Sequence, residues 1–362
     1  MWFWLFIIPY VVIVLLFLYA WFSMRIFVPT QHIATPFVSV ILSVRNEEHT
    51  LEKLLLSISN QSYQHFELII VDDFSEDSSL AICTRLSKQF SFLKVVKSTT
   101  QGKKKLLRQG VSIAQGELIV CIDADVYYPP TWLNAIVSCY EVEQPDLLIA
   151  PVKMVFTSPI FSKLQATEFL SLQASTGASA FLNKAIMCNG ANLAFTKSMY
   201  LAAHNSLVDH EASGDDMFLL AAIKKLGGKV KYVMAKEAIV DIQPSYSFSA
   251  FLQQRMRWFS KSKSYSDIDV LIVSFAVFFA QIAIITLGIL AIFNVQFSSF
   301  FVSLFLFKWF LDSMLLYRAS VFFDQKKLVR YSFLLSIVYP FYVVLVVICS
   351  IICPIKWKGR KI

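Results

Sequence analysis

The sequence predicts an α/β domain on a mostly parallel sheet with flanking helices, bracketed by transmembrane α-helices at both ends. Three observations carry this. Apolar residues make up 56% of the 362 positions and charged residues only 16%, against about 45–50% and about 25% in soluble domains. The excess lies at the two ends, and residues 37–266 have an ordinary globular composition, long enough to bury a core. Within that stretch short apolar runs alternate with helical patterns, as in strand–helix–strand crossovers.

The first element is residues 2–22, uninterrupted by charge. At a helical rise of about 1.5 Å per residue it reaches about 31 Å, enough for a bilayer core. Trp2, Trp4, Tyr19 and Trp21 mark its ends like an aromatic belt. A signal peptide is the competing reading, but no basic n-region or small-residue cleavage site is present. Arg25 follows the span and nothing basic precedes it. The positive-inside rule then puts the N-terminus outside and the middle domain in the cytoplasm.

In the middle domain, residues 37–43, 66–71, 93–96 and 117–122 read as buried strands. Residues 50–59, 78–90 and 103–114 read as the helices between them. Two strands end in acidic pairs, Asp72-Asp73 and Asp123-Ala-Asp125. Ligands of such sheets bind beyond the carboxyl ends of the strands.

Two further spans follow at 268–293 and 297–317. The link between them lacks Lys and Arg, as on the outer side, whereas Arg318, Lys326, Lys327 and Arg330 mark the inner side. A fourth crossing at 331–353 would put Lys356, Lys358, Arg360 and Lys361 outside. Pro340 can bend this segment, and a re-entrant or interfacial element keeps the tail cytoplasmic. Lys308 and Asp312, at i,i+4 inside the third span, share a helix face. They either pair between helices or meet a polar acceptor group. The expected organisation is a membrane helix at 1–24, a catalytic domain at 25–266, membrane or interfacial helices at 267–355 and a basic tail at 356–362.

The net charge of +8 lies mostly beside apolar segments. Anionic lipid headgroups are therefore the expected partner, and nucleic acid is not. The six cysteines form no CxxC pair, and five histidines are too few for a zinc pattern. Reduced, mostly buried thiols are expected.

Asp123 and Asp125 close an apolar strand and suit a hard divalent cation; a solvated turn is the plain alternative. Asp73 can hold a base or ribose hydroxyl, or it is an N-cap for the helix beginning near Ser78, which Ser75 or Asp77 could serve equally well. Gly102-Lys103-Lys104-Lys105 opens a helix whose N-terminus and ammonium groups favour phosphate, or it is a solvated basic face. Ser213-Gly214-Asp215-Asp216 precedes a helix at 217–226; its carboxylates are caps, or one is a general base. Gln254, Arg257 and Trp258 share one face of a helix. Arg257 suits a diphosphate and Trp258 a sugar ring, or the pair is an interfacial anchor.

In this order the motifs resemble glycosyltransferase family 2. They match in particular its membrane-bound branch, with hyaluronan, chitin and cellulose synthases and ceramide glucosyltransferases. The matching features are Arg45-Asn-Glu-Glu48, Val71-Asp-Asp73, Gly102-Lys103, Asp123-Ala-Asp125, Cys188-Asn-Gly190, Gly214-Asp-Asp216 and Gln254-x-x-Arg257-Trp258. They cover roughly residues 38–258. Trp357-Lys-Gly-Arg360 is similar to that branch's cytoplasmic tail.

The resemblance implies a GT-A-like (Rossmann-like) fold and a metal-dependent, inverting hexosyl transfer. It implies that Asp73 contacts the nucleoside with Glu47 near the base, and that Lys103 serves the donor site. Asp123 and Asp125 would form the diphosphate and metal (Mn2+ or Mg2+) site, with Asp125 the direct ligand. Asp216, beside Asp215, would be the general base. Arg257, in the motif begun by Gln254, would hold the diphosphate. Trp258 would line the acceptor site and Cys188 would sit at the acceptor end. A nucleotide-sugar, foremost a UDP-sugar, is the implied donor.

Three or four spans are few for a polymer channel. A lipid or lipid-linked saccharide acceptor at a bacterial cytoplasmic membrane is therefore expected. A processive polysaccharide synthase extruding a β-linked polymer is the alternative, with oligomerisation building the channel. The helical apolar spacing at 161–182 suits either a surface helix that meets a lipid acceptor or a helix facing a core. A non-catalytic scaffold and a nucleotidyltransferase are the rivals from other classes.

Overall fold

The computed structural model describes residues 3–30, 36–204, 215–354, 356–357 and 360–361. Trp2, Ser213, Gly214, Lys358 and Gly359 lie outside the described residues. In chain order the elements are α1 (Phe3–Ser23), β1 (Val38–Val44), α2 (Leu51–Ser59), β2 (Phe66–Asp72), α3 (Ser79–Leu86), β3 (Leu93–Lys97), α4 (Lys103–Ile113) and β4 (Leu118–Ile122). Next come α5 (Trp132–Glu143), β5 (Leu147–Ile149), β6 (Val152–Met154), α6 (Ile160–Phe181), β7 (Asn192–Thr196), α7 (Lys197–Ala203), α8 (Asp215–Lys225), β8 (Val230–Tyr232) and β9 (Val240–Ile242). The chain closes with α9 (Phe248–Ser260), α10 (Ile268–Phe293), α11 (Ser298–Phe322), α12 (Ser332–Ile352), β10 (Lys356–Trp357) and β11 (Arg360–Lys361). Every strand and helix expected between 37 and 122 is present, each within a few residues.

Two compact units form. One comprises Arg25–Lys153 and Met187–Gln243; the other comprises Met1–Met24, Met154–Ile186 and Pro244–Ile362.

The first unit holds a seven-stranded sheet in the order β3-β2-β1-β4-β7-β5-β8. β1 to β4 are parallel to their neighbours. β7 runs antiparallel to β4 and β5, and β5 is parallel to β8. β2 and β4 are buried at every position, as strands covered on both faces must be. Leu51, Leu54, Leu55 and Ile58 of α2 and Leu106, Leu107, Gly110 and Val111 of α4 form the buried faces of two crossover helices. A fully buried Leu or Ile contributes about 1.5–3 kcal/mol, so this packing outweighs the weak propensity of such short helices.

The edge where β1 and β2 begin is tied by Glu67. Its carboxylate accepts from Ser39 Oγ (2.6 Å), the Gln115 N–H (2.6 Å) and Lys94 Nζ (2.6 Å). Burial alone would raise this carboxyl, but those three donors outweigh it and hold its pKa below the usual value of 4.5. A lowered folded pKa gives stability that is present above the unfolded pKa and lost as pH falls through the folded one. The acid limb of a stability profile, below about pH 4.5, is therefore expected to flatten in Glu67→Gln. Melting temperatures of the two proteins across that range check it.

Beside Glu67, the Gly116 N–H donates to Ser39 Oγ (2.8 Å). A Cβ on Gly116 would stand 2.5 Å from Ser39 N and 2.6 Å from Phe37 O. The obstruction is backbone, so Gly116→Ala is expected to cost about 1–3 kcal/mol, read as a lower melting temperature.

Among the described residues of the second unit, four helical segments are long and apolar enough to cross a membrane: Leu5–Ser23, Ile268–Phe293, Val295–Phe322 and Lys326–Ile352. α12 is helical through Pro340; neighbouring helices can offset a proline's lost hydrogen bond in membrane segments. Lys308 Nζ meets Asp312 Oδ2 at 2.7 Å, and Tyr10 Oη of α1 donates to Asp312 Oδ1 at 2.6 Å. The charged pair thus joins α1 to α11, the structural form of the two readings. α6 packs inside this unit with Gln165, Glu168 and Gln173 buried, and Trp21 Nε1 donates to Ala174 O (2.8 Å). It is the core-facing helix of the two alternatives.

Candidate active site

Because β1, β2 and β4 are parallel, their carboxyl ends share one edge of the sheet. β7 is antiparallel, and the register sets Asn192 opposite Ile122. This brings the segment before β7, Cys188-Asn189-Gly190, to that same edge.

The loops after β1 and β2 are stitched together there. Buried Arg45 donates from Nη1 to Asp73 O (2.9 Å) and from Nη2 to Glu76 Oε1 (3.3 Å). Asn46 Oδ1 accepts from the Glu76 N–H (2.9 Å), and Ser79 Oγ from the Glu47 N–H (2.7 Å). Glu47 Oε2 accepts from Thr50 Oγ1 (3.2 Å) at the start of α2. The cap of α3 is supplied by Asp77, whose Oδ1 accepts from the Ser79 N–H (2.9 Å). Asp73 therefore is not that cap. Its buried Oδ1 instead faces the Gly102 N–H at 3.4 Å.

Gly102 starts α4 with a φ of 110°, a conformation that L side chains rarely adopt. From the next position Lys103 Nζ reaches Asp123 Oδ1 at 2.6 Å, both side chains about one-third exposed. Asp125 is exposed, two residues on. At the other side of the group, Asp216 Oδ2 accepts from the Gly190 N–H (3.1 Å) and Oδ1 from the Met217 N–H (2.8 Å). A Cβ on Gly190 would lie 3.6 Å from Asp216 Oδ2 and 3.8 Å from Lys103 Nζ. The missing side chain therefore leaves room between a carboxylate and an ammonium group.

Asp73, Lys103, Asp123, Gly190 and Asp216 thus form one chain of contacts. Cys188 is half-buried at the same edge and in no disulfide. Asp215 opens α8, and Gly214 of its motif lies outside the described residues.

The turn carrying Asp123 rests on residues that the motif reading passed over. Tyr128 Oη accepts from the Asp123 N–H (3.0 Å) and donates to Ala191 O (2.8 Å). Burial first, then the charge of Asp123, pushes this phenol well above its ordinary pKa, so it stays neutral. Its ring lies 4.6 Å from that of Trp132. Trp132 Nε1 donates to Asn192 Oδ1 (2.8 Å), and Asn192 Nδ2 donates to Pro151 O (2.8 Å) and Ala238 O (2.9 Å). Large polar aromatics close behind an acidic turn were the available signal.

Gln254, Arg257 and Trp258 lie on α9, in the other unit. The buried centre of that motif is Arg255. Its guanidinium makes a bidentate pair with Glu168 of α6 and stacks 4.2 Å from the Trp258 ring centroid and 4.6 Å from that of Phe251. Gln254 Oε1 accepts from Arg255 Nη1 (2.8 Å).

No cluster of three His, Cys, Asp or Glu groups capable of holding a metal occurs among the described residues. The donor set offers Asp123 and Asp125, with Lys103 already on Asp123. Mg2+-type sites commonly use one or two carboxylates and fill the remaining positions with substrate phosphates and water. The residues present fit such an ion brought in with a diphosphate.

A mostly parallel sheet with carboxylates and a lysine gathered at its carboxyl edge, flanked by helices, is a GT-A-like nucleotide-type fold. Residues 39–204 match the family model "Glycosyl transferase family 2". Over 114 residues the chain is 33% identical to the beta-monoglucosyldiacylglycerol synthase of Trichormus variabilis, covering 30% of this chain and 24% of that protein. Over 146 residues it is 27% identical to the cholesterol galactosyltransferase of Borreliella burgdorferi, covering 40% of each. The chain thus spans less than half the length of these relatives. A mannosyltransferase from Pyrobaculum calidifontis, solved with GDP-Man and Mn2+, shares the fold with a TM-score of 0.54 and 18% identity, over 88% of this chain and 96% of that one.

Proposed function

We propose that this chain is a membrane-bound glycosyltransferase. It moves a sugar from a nucleotide-sugar, foremost a UDP-sugar, to a lipid or lipid-linked saccharide at the cytoplasmic face, with inversion at the anomeric carbon. The observation that carries the reading is Gly190 flanked by the Asp216 carboxylate and the Lys103 ammonium. A carboxylate and an ammonium group thus lie within 3.6 Å and 3.8 Å of the same point. Two curated relatives with lipid acceptors in their names add support.

In this mechanism Asp73 and the loop around Glu47 hold the nucleoside. Lys103 attracts the diphosphate, at the start of a helix whose N-terminal dipole also favours an anion. Asp125 and Asp123 would hold a divalent cation, which when bound stabilises the charge on the leaving diphosphate. Asp216 takes the proton of the acceptor hydroxyl as its oxygen attacks C1. The two backbone N–H bonds to that carboxylate keep it aimed. Roles for Arg257 with the diphosphate, and for Trp258 and Cys188 with the acceptor, rest on the sequence motifs alone.

Lys103→Met is expected to raise the donor KM roughly tenfold or more, the usual loss for a charge-assisted hydrogen bond. Initial rates against donor concentration check it.

The deciding experiment incubates membranes carrying the full chain with Mn2+ or Mg2+ and a panel of radiolabelled nucleotide-sugars, then partitions products between organic solvent and water. Label in the organic phase that depends on Asp216 is the expected result. Label in large, water-soluble, glycosidase-sensitive material would overturn the lipid acceptor in favour of a polymer synthase. Release of pyrophosphate instead of nucleoside diphosphate would overturn glycosyl transfer itself.

A further inference from the structure

Phe74, directly after Asp73, combines two unfavourable features. Its φ is 55°, in the left-handed region that bulky side chains avoid, and its ring is 45% exposed. A glycine would remove both. The conformation is instead imposed from below. Arg45, only 7% exposed, donates to Asp73 O (2.9 Å) and reaches Phe74 O (3.5 Å), with its other nitrogen on Glu76. Asn46, also at positive φ (52°), accepts from the Glu76 N–H, and its own N–H donates to Ser75 Oγ (3.1 Å). Two loops and a buried guanidinium thus hold an aromatic ring out from the sheet edge at the position after Asp73. Strain retained under such control marks functional positions. Among the described residues no aromatic ring or cation stacks on Phe74, and nearly half of the residue is exposed.

We propose that the Phe74 ring stacks on the base of the nucleotide donor. This rests on the nucleotide-sugar reading above and adds a residue that none of the motifs names. Every base has a π-face, so stacking adds affinity without choosing between bases. Base identity is then left to hydrogen-bonding groups such as Asp73.

The test measures UDP and GDP binding to the detergent-solubilised full chain by calorimetry, for wild type and for Phe74→Gly, Phe74→Leu and Phe74→Tyr. Phe74→Gly is expected to bind the nucleotide about tenfold more weakly, although relief of the left-handed strain keeps or raises its melting temperature. Phe74→Leu, still strained and still apolar, is expected to lose as much affinity. Phe74→Tyr, which keeps the ring, stays within about twofold of wild type. Wild-type affinity in both Phe74→Gly and Phe74→Leu would overturn the proposal, as would Phe74→Tyr failing like Phe74→Leu. Wild type binding neither nucleotide, in a protein that melts cooperatively, would overturn the donor reading itself and the stacking with it.

Discussion

Asp216→Asn is expected to lower transfer by on the order of 10²–10⁴, the range for loss of a general acid–base group. The substitution is nearly isosteric, and the amide oxygen can keep one of the two backbone bonds, from Gly190 or from Met217. The amide NH2 then faces the other N–H, at a cost of about 1–3 kcal/mol. A folded protein with a modestly lower melting temperature and almost no turnover is the outcome that supports the base. Near-normal rates in the substituted protein would instead make Asp216 a cap of α8 and nothing more. Donor binding separates the two further. It is expected to stay within a few-fold of wild type, because the group that disappears acts on the acceptor hydroxyl.

The second large effect lies away from the sheet. Arg255 and Glu168 are each about 5% exposed and pair in bidentate fashion. Burial alone would lower the pKa of the guanidinium, but the Glu168 charge outweighs it and keeps Arg255 firmly protonated. Removing one partner leaves a buried charge uncompensated, so Glu168→Ala is expected to cost about 3–5 kcal/mol. Replacing both with apolar residues of similar volume, Glu168→Leu with Arg255→Met, is expected to recover most of that loss. Melting temperatures in detergent for the single and double variants check this. A double variant as unstable as the single one would show that the pair does more than neutralise itself. Arg255 also stacks against Trp258, so activity of the double variant reports how far the tryptophan depends on it.

Much of the framework was legible in the sequence, because it is written in local periodicity. Long, mostly apolar stretches marked α1, α10, α11 and α12, since spanning length is counted in residues. Apolar runs closed by acidic pairs marked β2 and β4 with their ligand ends, and the 3–4 spacing of Leu51, Leu54, Leu55 and Ile58 marked α2. The motif residues were legible as types, but each carried a plain alternative that spacing could not remove. The choice between cap and ligand for Asp73 depended on Asp77, four residues away, taking the cap.

The contacts that assemble the group were decided by tertiary structure. β7 is antiparallel, and a short strand's direction leaves no trace in its own residues. Yet that direction alone carries Gly190 to the edge where β4 ends. Lys103 and Asp123 are 20 residues apart, and Gly190 and Asp216 are 26 apart; packing sets such distances, and periodicity does not. The supports were hidden for the same reason. Tyr128, Trp132 and Asn192 belong to none of the motifs, and only their hydrogen bonds show what they hold; Arg255 is an unnamed position of its motif, and Glu168 comes to it from another helix. The sequence by itself determined which elements form and which residue types can do chemistry, because both follow from neighbours along the chain. Which of those residues meet was decided only by the fold, because hydrogen bonds and ion pairs act over a few ångströms between residues far apart in sequence.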